Sequence, residues 1–151
     1  MNTFEKAPVL DMLNKILETE LAGVVNYTHY SFMIFGYNRI PIVSWIKGQA
    51  DESLLHAHRA GELITHFGGH PNLGIGQLVE SHKHDIGDIL RESLEHEKTS
   101  LTMYYELLQL VANKSVLLEE YAREMISAEE LHLGEVDKML RNPGDIEKFD
   151  H

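Results

Sequence analysis

The chain has no cysteine in 151 residues. That excludes disulfides, iron–sulfur clusters and thiolate zinc sites in one step. Any metal must then be held by carboxylate oxygen and imidazole nitrogen, donors that suit iron, manganese or zinc better than copper(I). Basic residues are also scarce. Thirteen Lys and Arg stand against 24 Asp and Glu, a formal net charge of −11, which argues against nucleic acid or an anionic membrane surface as a direct partner. No apolar run approaches the length of a membrane span, because Glu, Asn, Lys and His interrupt every candidate. The segment MNTFEKAPVLDML has no basic stretch followed by an apolar core, so it does not read as a secretory signal and the expected location is cytoplasmic.

What the chain does have is apolar periodicity near 3.6 residues. It predicts four helices, over about 9–35, 42–67, 81–112 and 115–140, with a polar tail over 141–151. Gly36-Tyr37-Asn38 stops the first, and Gly68-Gly69-His70-Pro71 stops the second. Links as short as 36–41 and 113–114 make antiparallel hairpins of helices one and two and of helices three and four. Between the hairpins runs PNLGIGQLV, long enough to cross the length of a bundle. The expectation is a single all-α domain, a four-helix bundle built from two helical hairpins joined by one long crossover, which is the ferritin-type variant.

Each predicted helix carries a polar intruder at the centre of its apolar stripe. Glu20 is flanked at offsets of three, four and seven by Leu13, Ile16, Leu17, Val24 and Tyr27. Glu97 is flanked by Leu90, Leu94, Leu101 and Tyr104, and His56 by Trp45, Ile46, Ala60, Leu63 and Phe67. Glu129 and His132 lie among Ala122, Met125, Ile126, Val136 and Met139, three residues apart on one face, so both can grip one metal. In isolation each has a plain reading. A Glu in a stripe is usually a boundary residue with its head in water, a core His is usually hydrogen-bonded, and about one Glu-x-x-His is expected by chance in such a composition. The coincidence on four successive helices is different. Buried anionic carboxylates need a cation, and a metal pair is the obvious one. His58, His66, His82, His84 and His96 fall mostly on polar faces and read as solvated, His70 as part of the crossover turn, Trp45 as core and the six methionines as core filler.

TELAGVVNY, the Gly-His-Pro-Asn-Leu loop and AEELH, in this order and separation, resemble bacterioferritin within the ferritin-like superfamily, up to about Leu140. The resemblance implies a non-haem di-iron protein that oxidises Fe(II) with oxygen or peroxide for iron storage or detoxification, as a homo-oligomer. It implies Glu20 and Glu97 as terminal ligands, Glu129 as a bridge, His56 and His132 as one cap for each iron, and Tyr27 beside the centre. In the family the second helix reads Glu-x-x-His, with a bridging glutamate; here it reads Ser53-Leu54-Leu55-His56. Glu52, one residue earlier and on the opposite flank of the face of His56, is a candidate ligand in its place, as are a hydroxyl, water or exogenous carboxylate at Ser53. That gap favours an alternative, a cage or metal-binding subunit with an impaired or single-metal site and no redox turnover. An oxidase or hydroxylase acting on an organic substrate is a third reading of the same bundle. Leu54 stands where the family has its axial methionine, so haem is not expected. The short tail argues against a 24-subunit cage and for a smaller shell or a dimer.

Overall fold

In the computed structural model, which describes residues 3–149, the chain forms α1 (Lys6–Met33), α2 (Arg39–His66), α3 (Ile86–Val111) and α4 (Val116–Leu140). The ends follow from local chemistry. α1 stops two residues before the expected Phe35, because Ile34 turns extended and the Arg39 guanidinium takes the free carbonyls of Ser31 and Ile34 at 3.1 and 2.7 Å. Gly36 then turns the chain at a φ of +98°. α2 starts at Arg39, ahead of Pro41, whose missing N–H costs nothing in a first turn.

α3 starts at Ile86, five residues later than the periodicity suggests. Asp85 caps it by accepting from the Gly87 N–H at 3.1 Å, while His82 sits in the left-handed region at a φ of +59°, which no helix can absorb. At the start of α4, Ser115 accepts from the Leu118 N–H, and Asn113 turns the preceding link with a φ of +64°. The tail is less idle than its polarity implies. Arg141 ties Asp137 to the carbonyl of Ile146, and the Phe149 N–H donates to Asp137 at 2.9 Å. Residues 150 and 151 of the expected tail lie outside the described part.

α1 packs on α2, α3 on α4, and α1 on α3. α2 and α4 face each other across a wider gap, with no Cα pair within 8 Å among the described residues. Side chains span that gap: Arg59 donates to Glu124 at 2.8 Å, and Trp45 lies against His132. The apolar core comes in parts. One end is closed by Val9, Leu13, Ile16, Ala60, Ile64, Leu107, Val111, Leu118 and Ala122. The other is closed by Tyr30 on α1, Ile34 just past its end, Val43 and Ile46 on α2, and by Leu90, Leu94 and Val136 on α3 and α4. Between these ends lies a polar level.

Residues 67–85 form the crossover and dock along α1. Asn72 bonds Asn14 and Glu18, Val79 N–H donates to Asn26, and the Gly76 N–H donates to the Glu18 carbonyl at 2.7 Å. Gly76 has no room for a side chain: a Cβ there would stand 3.2–3.3 Å from backbone atoms of Glu18 and Thr19. Backbone cannot swing aside as a side chain does. Gly76→Ala is therefore expected to destabilise the protein by about 1–3 kcal/mol through overpacking, read as a lower urea midpoint with an unchanged slope.

Candidate metal centre

The polar level is where the four stripes meet. Glu20, Glu97 and Glu129 are buried, with 3, 5 and 4 % of their surface exposed, and His56 is buried beside them. The fold thus brings three carboxylates from three helices and an imidazole from the fourth into one interior. Ligand atoms of Glu20, His56 and Glu129 all lie within 4.8 Å of one another. His56 Nδ1 stands 3.4 Å from Glu20 and 3.8 Å from Glu129. On the other side, His132 Nε2 stands 3.8 Å from Glu97.

Two tyrosines orient the carboxylates. Tyr27 donates to Glu97 at 2.5 Å and its oxygen lies 3.3 Å from His132 Nε2. Tyr104 donates to Glu20 at 3.2 Å. Burial, with Glu97 beside one and Glu20 beside the other, raises both phenols' pKa values, so both stay protonated donors. No lysine or arginine shares an ion pair with the three glutamates among the described residues; ring nitrogens of His56 and His132 face them instead.

The carboxylates consequently contend for protons. Burial first, and then Glu97 and Glu20 nearby, push Glu129 up to about 12, so it is a neutral acid at pH 7. Burial also raises Glu20, with Glu97 adding to it. Burial would raise Glu97 too, but the hydrogen bond with Glu129, the His132 charge and the Tyr27 hydroxyl together bring it below its ordinary value. Burial opposes charge on His56, yet Glu20, Glu52 and Glu97 outweigh it and raise its pKa. One buried oxygen, Glu129 Oε2, receives no hydrogen bond. An orphaned oxygen between carboxylates, hard oxygen and nitrogen donors, and donor spacings of 3.4–3.8 Å fit a divalent or trivalent cation.

Glu52 stands apart. Its carboxylate is half exposed and lies 3.7 Å from His56 Nε2, the ring nitrogen opposite the one that faces Glu20 and Glu129. Ser53 is buried too, facing α1. Gly23 of α1 leaves a gap in which a Cβ would stand 3.0 Å from both Ser53 Oγ and His96 Nε2. His96, expected at the surface, is instead buried with 8 % exposed. Burial lowers its pKa, so it is a neutral imidazole. Its position between Ser93 and Ser100, small residues three before and four after it, marks the same buried flank. Trp45 also departs from a plain core role. It is half-buried and stacks on His132, with ring centroids 5.6 Å apart and planes 6° from parallel.

A family model for the ferritin-like domain matches residues 10–144. No curated protein matches the chain. Among solved structures, the chain is similar to a ferritin-like, diiron-carboxylate protein of Bacillus anthracis, with a TM-score of 0.85 and 21% identity over 90% of this chain and 97% of that one. It is similar to the dodecameric thioferritin of Bacteroides fragilis, a bacterioferritin-related protein (TM-score 0.83, 18% identity, 91% and 87% covered). A third such structure is the bacterioferritin of Desulfovibrio desulfuricans, with its diiron site (0.80, 20%, 89% and 79%).

The shifted glutamate has a measurable consequence. A carboxyl whose pKa is raised on folding adds stability below its unfolded value near 4.5, and loses it progressively as pH rises toward about 12. Glu129→Gln removes that term and keeps a donor toward Glu97. The metal-free variant should therefore match or exceed the parent's stability at pH 8 and show a flatter profile between about pH 5 and 9, measured by urea unfolding across pH. Cation binding near pH 7 should also release protons, seen as a dependence of calorimetric enthalpy on buffer.

Proposed function

The chain belongs to the ferritin-like family, and from that premise we propose that it is a non-haem di-iron protein that oxidises Fe(II), using oxygen or peroxide, for iron storage or detoxification. The observation that carries the reading is the buried Glu20–His56–Glu129 cluster, with Glu97 and His132 alongside and, among the described residues, no lysine or arginine paired to it. In this proposal Glu20 and His56 hold one iron, Glu97 and His132 hold the other, and Glu129 lies between them. His56 offers Nδ1 to the metal, which leaves Nε2–H directed at Glu52. Glu52 then orients the imidazole from behind and raises its basicity instead of ligating.

The residues act on iron through charge. Three carboxylates in a dry interior stabilise Fe(III) over Fe(II), because hard anionic oxygen favours the higher charge, and this lowers the barrier to electron loss. Tyr27 holds Glu97 in place by its hydroxyl, and Trp45 fixes the ring plane of His132. Glu129 would give up its proton on taking a cation and hold it as a carboxylate.

Ser53 supports a second reading, a metal-binding or cage subunit with one good site and no redox turnover. The Ser53 hydroxyl packs toward Gly23 and His96, and a serine supplies no carboxylate at that position. A homo-oligomer fits either reading. Phe32, Phe35, Tyr37 and Ile40 are 63–106 % exposed around the α1–α2 turn, an apolar surface suited to a second copy. The cytoplasm is the compartment this chemistry and the cysteine-free sequence suit.

An anaerobic Fe(II) titration followed by air separates the readings. Two equivalents per chain, with oxidation on aeration lost in Glu129→Ala and His132→Ala, is the expected result. One tight equivalent without oxidation supports the single-metal subunit, and unchanged oxidation in both variants rejects the assignment.

A further inference from the structure

A second group of donors lies at the surface, where the crossover meets α1. His29 on α1 and Glu80 and His84 on the crossover place one ligand atom each within 4.8 Å of the others. His29 Nε2 is 2.6 Å from Glu80 Oε2, and His84 Nε2 is 3.4 Å from Glu80 Oε1. The rings of His29 and His84 are 6.3 Å apart and inclined at 70°. None of the three touches the buried cluster, and the buried reading leaves them without a role.

We propose that His29, Glu80 and His84 form a second metal site, which takes one divalent transition-metal ion of the zinc class and pins the crossover to α1. Two imidazoles and one carboxylate are a donor set that such ions accept, with water completing the tetrahedron. The spacing suits it. Donors about 2.0–2.1 Å from a tetrahedral ion lie about 3.3 Å from one another. The His84–Glu80 pair already meets that distance, and the His29–Glu80 pair meets it by opening less than about 1 Å as the ion displaces the shared proton.

The crossover is held ready for this ion by bonds outside the three donors. Tyr30, next to His29, donates to Glu92 at 2.5 Å, and the other oxygen of Glu92 accepts the Ser81 N–H at 2.7 Å. The segment that carries Glu80 and His84 is thereby fixed to α1 and α3 at once. His82 keeps its left-handed backbone and donates its N–H to Glu80 at 2.6 Å, which aims the carboxylate back between the two imidazoles. That N–H and the two imidazoles bring the Glu80 carboxyl down to about 2, so it stays anionic. A pre-organised first shell is what separates a site from a chance cluster.

The test uses the full-length chain with zinc(II) and cobalt(II) as probes. Zinc bound per chain at equilibrium should fall by one in His84→Ala and in His29→Ala, and cobalt should lose the visible absorption of a nitrogen–oxygen tetrahedral site in both. Aerobic Fe(II) oxidation should be unchanged in both, and Glu129→Ala should keep the zinc that His84→Ala loses. Zinc should raise the melting temperature of Glu129→Ala, and should not raise that of the Glu129→Ala/His84→Ala double variant. Equal zinc binding by the parent and both histidine variants, or a cobalt spectrum that neither changes, overturns the proposal. If His84→Ala fails to fold, His29→Ala and Glu80→Gln decide the matter alone.

Discussion

Three carboxylates share a buried interior in which, among the described residues, no lysine or arginine pairs with them, and the rest of the architecture serves that arrangement. Isolated buried charge is costly enough that the group gives up its charge or finds a partner. Here Glu129 keeps a proton, raised to about 12, and Glu97 accepts from it. The proton stands where a cation would stand. Apolar clusters flank this level at both ends, and Tyr27 and Tyr104 aim Glu97 and Glu20. Apolar residues of similar volume at these three positions would carry no such desolvation cost.

The separation of α2 from α4 belongs to the same design. Helices packed at ordinary distance leave no interior room for side chains as long as glutamate. α1 meets α3 closely, and the hairpins close their own seams, but α2 and α4 stand back and speak through Arg59–Glu124 and Trp45–His132. The widened side is where His56 and Glu129 reach each other. The crossover docks on the far side, against α1, with backbone bonds such as Gly76 to Glu18.

The fold and most of the cluster were legible because their signals are local to one helix. A glutamate at the centre of an apolar stripe marks Glu20, Glu97 and Glu129 from sequence alone, and the same pattern marks His56 and His132. What escaped depends on other helices. His96 lies one residue from Glu97 and reads as a polar flank, and it is buried because Gly23, on a different helix, leaves space for an imidazole. Nothing in α3 announces that space. Trp45 and His132 are far apart in the chain, so their stacking is a tertiary event. α3 starts later than the apolar period suggests because Asp85, ahead of Ile86-Gly87-Asp88, is the cap that sets its first turn. Glu52, a candidate ligand by its place on the helix, meets the far nitrogen of His56, a detail of ring geometry that the sequence does not carry.

The most direct measurement is an infrared difference spectrum of the metal-free protein on anaerobic addition of iron(II). The account predicts that the carbonyl band of a protonated buried carboxyl disappears, ionised carboxylate bands shift to metal-bound positions, and the lost band is missing from Glu129→Gln at the outset. A spectrum in which no carboxyl band changes as iron is added would contradict it.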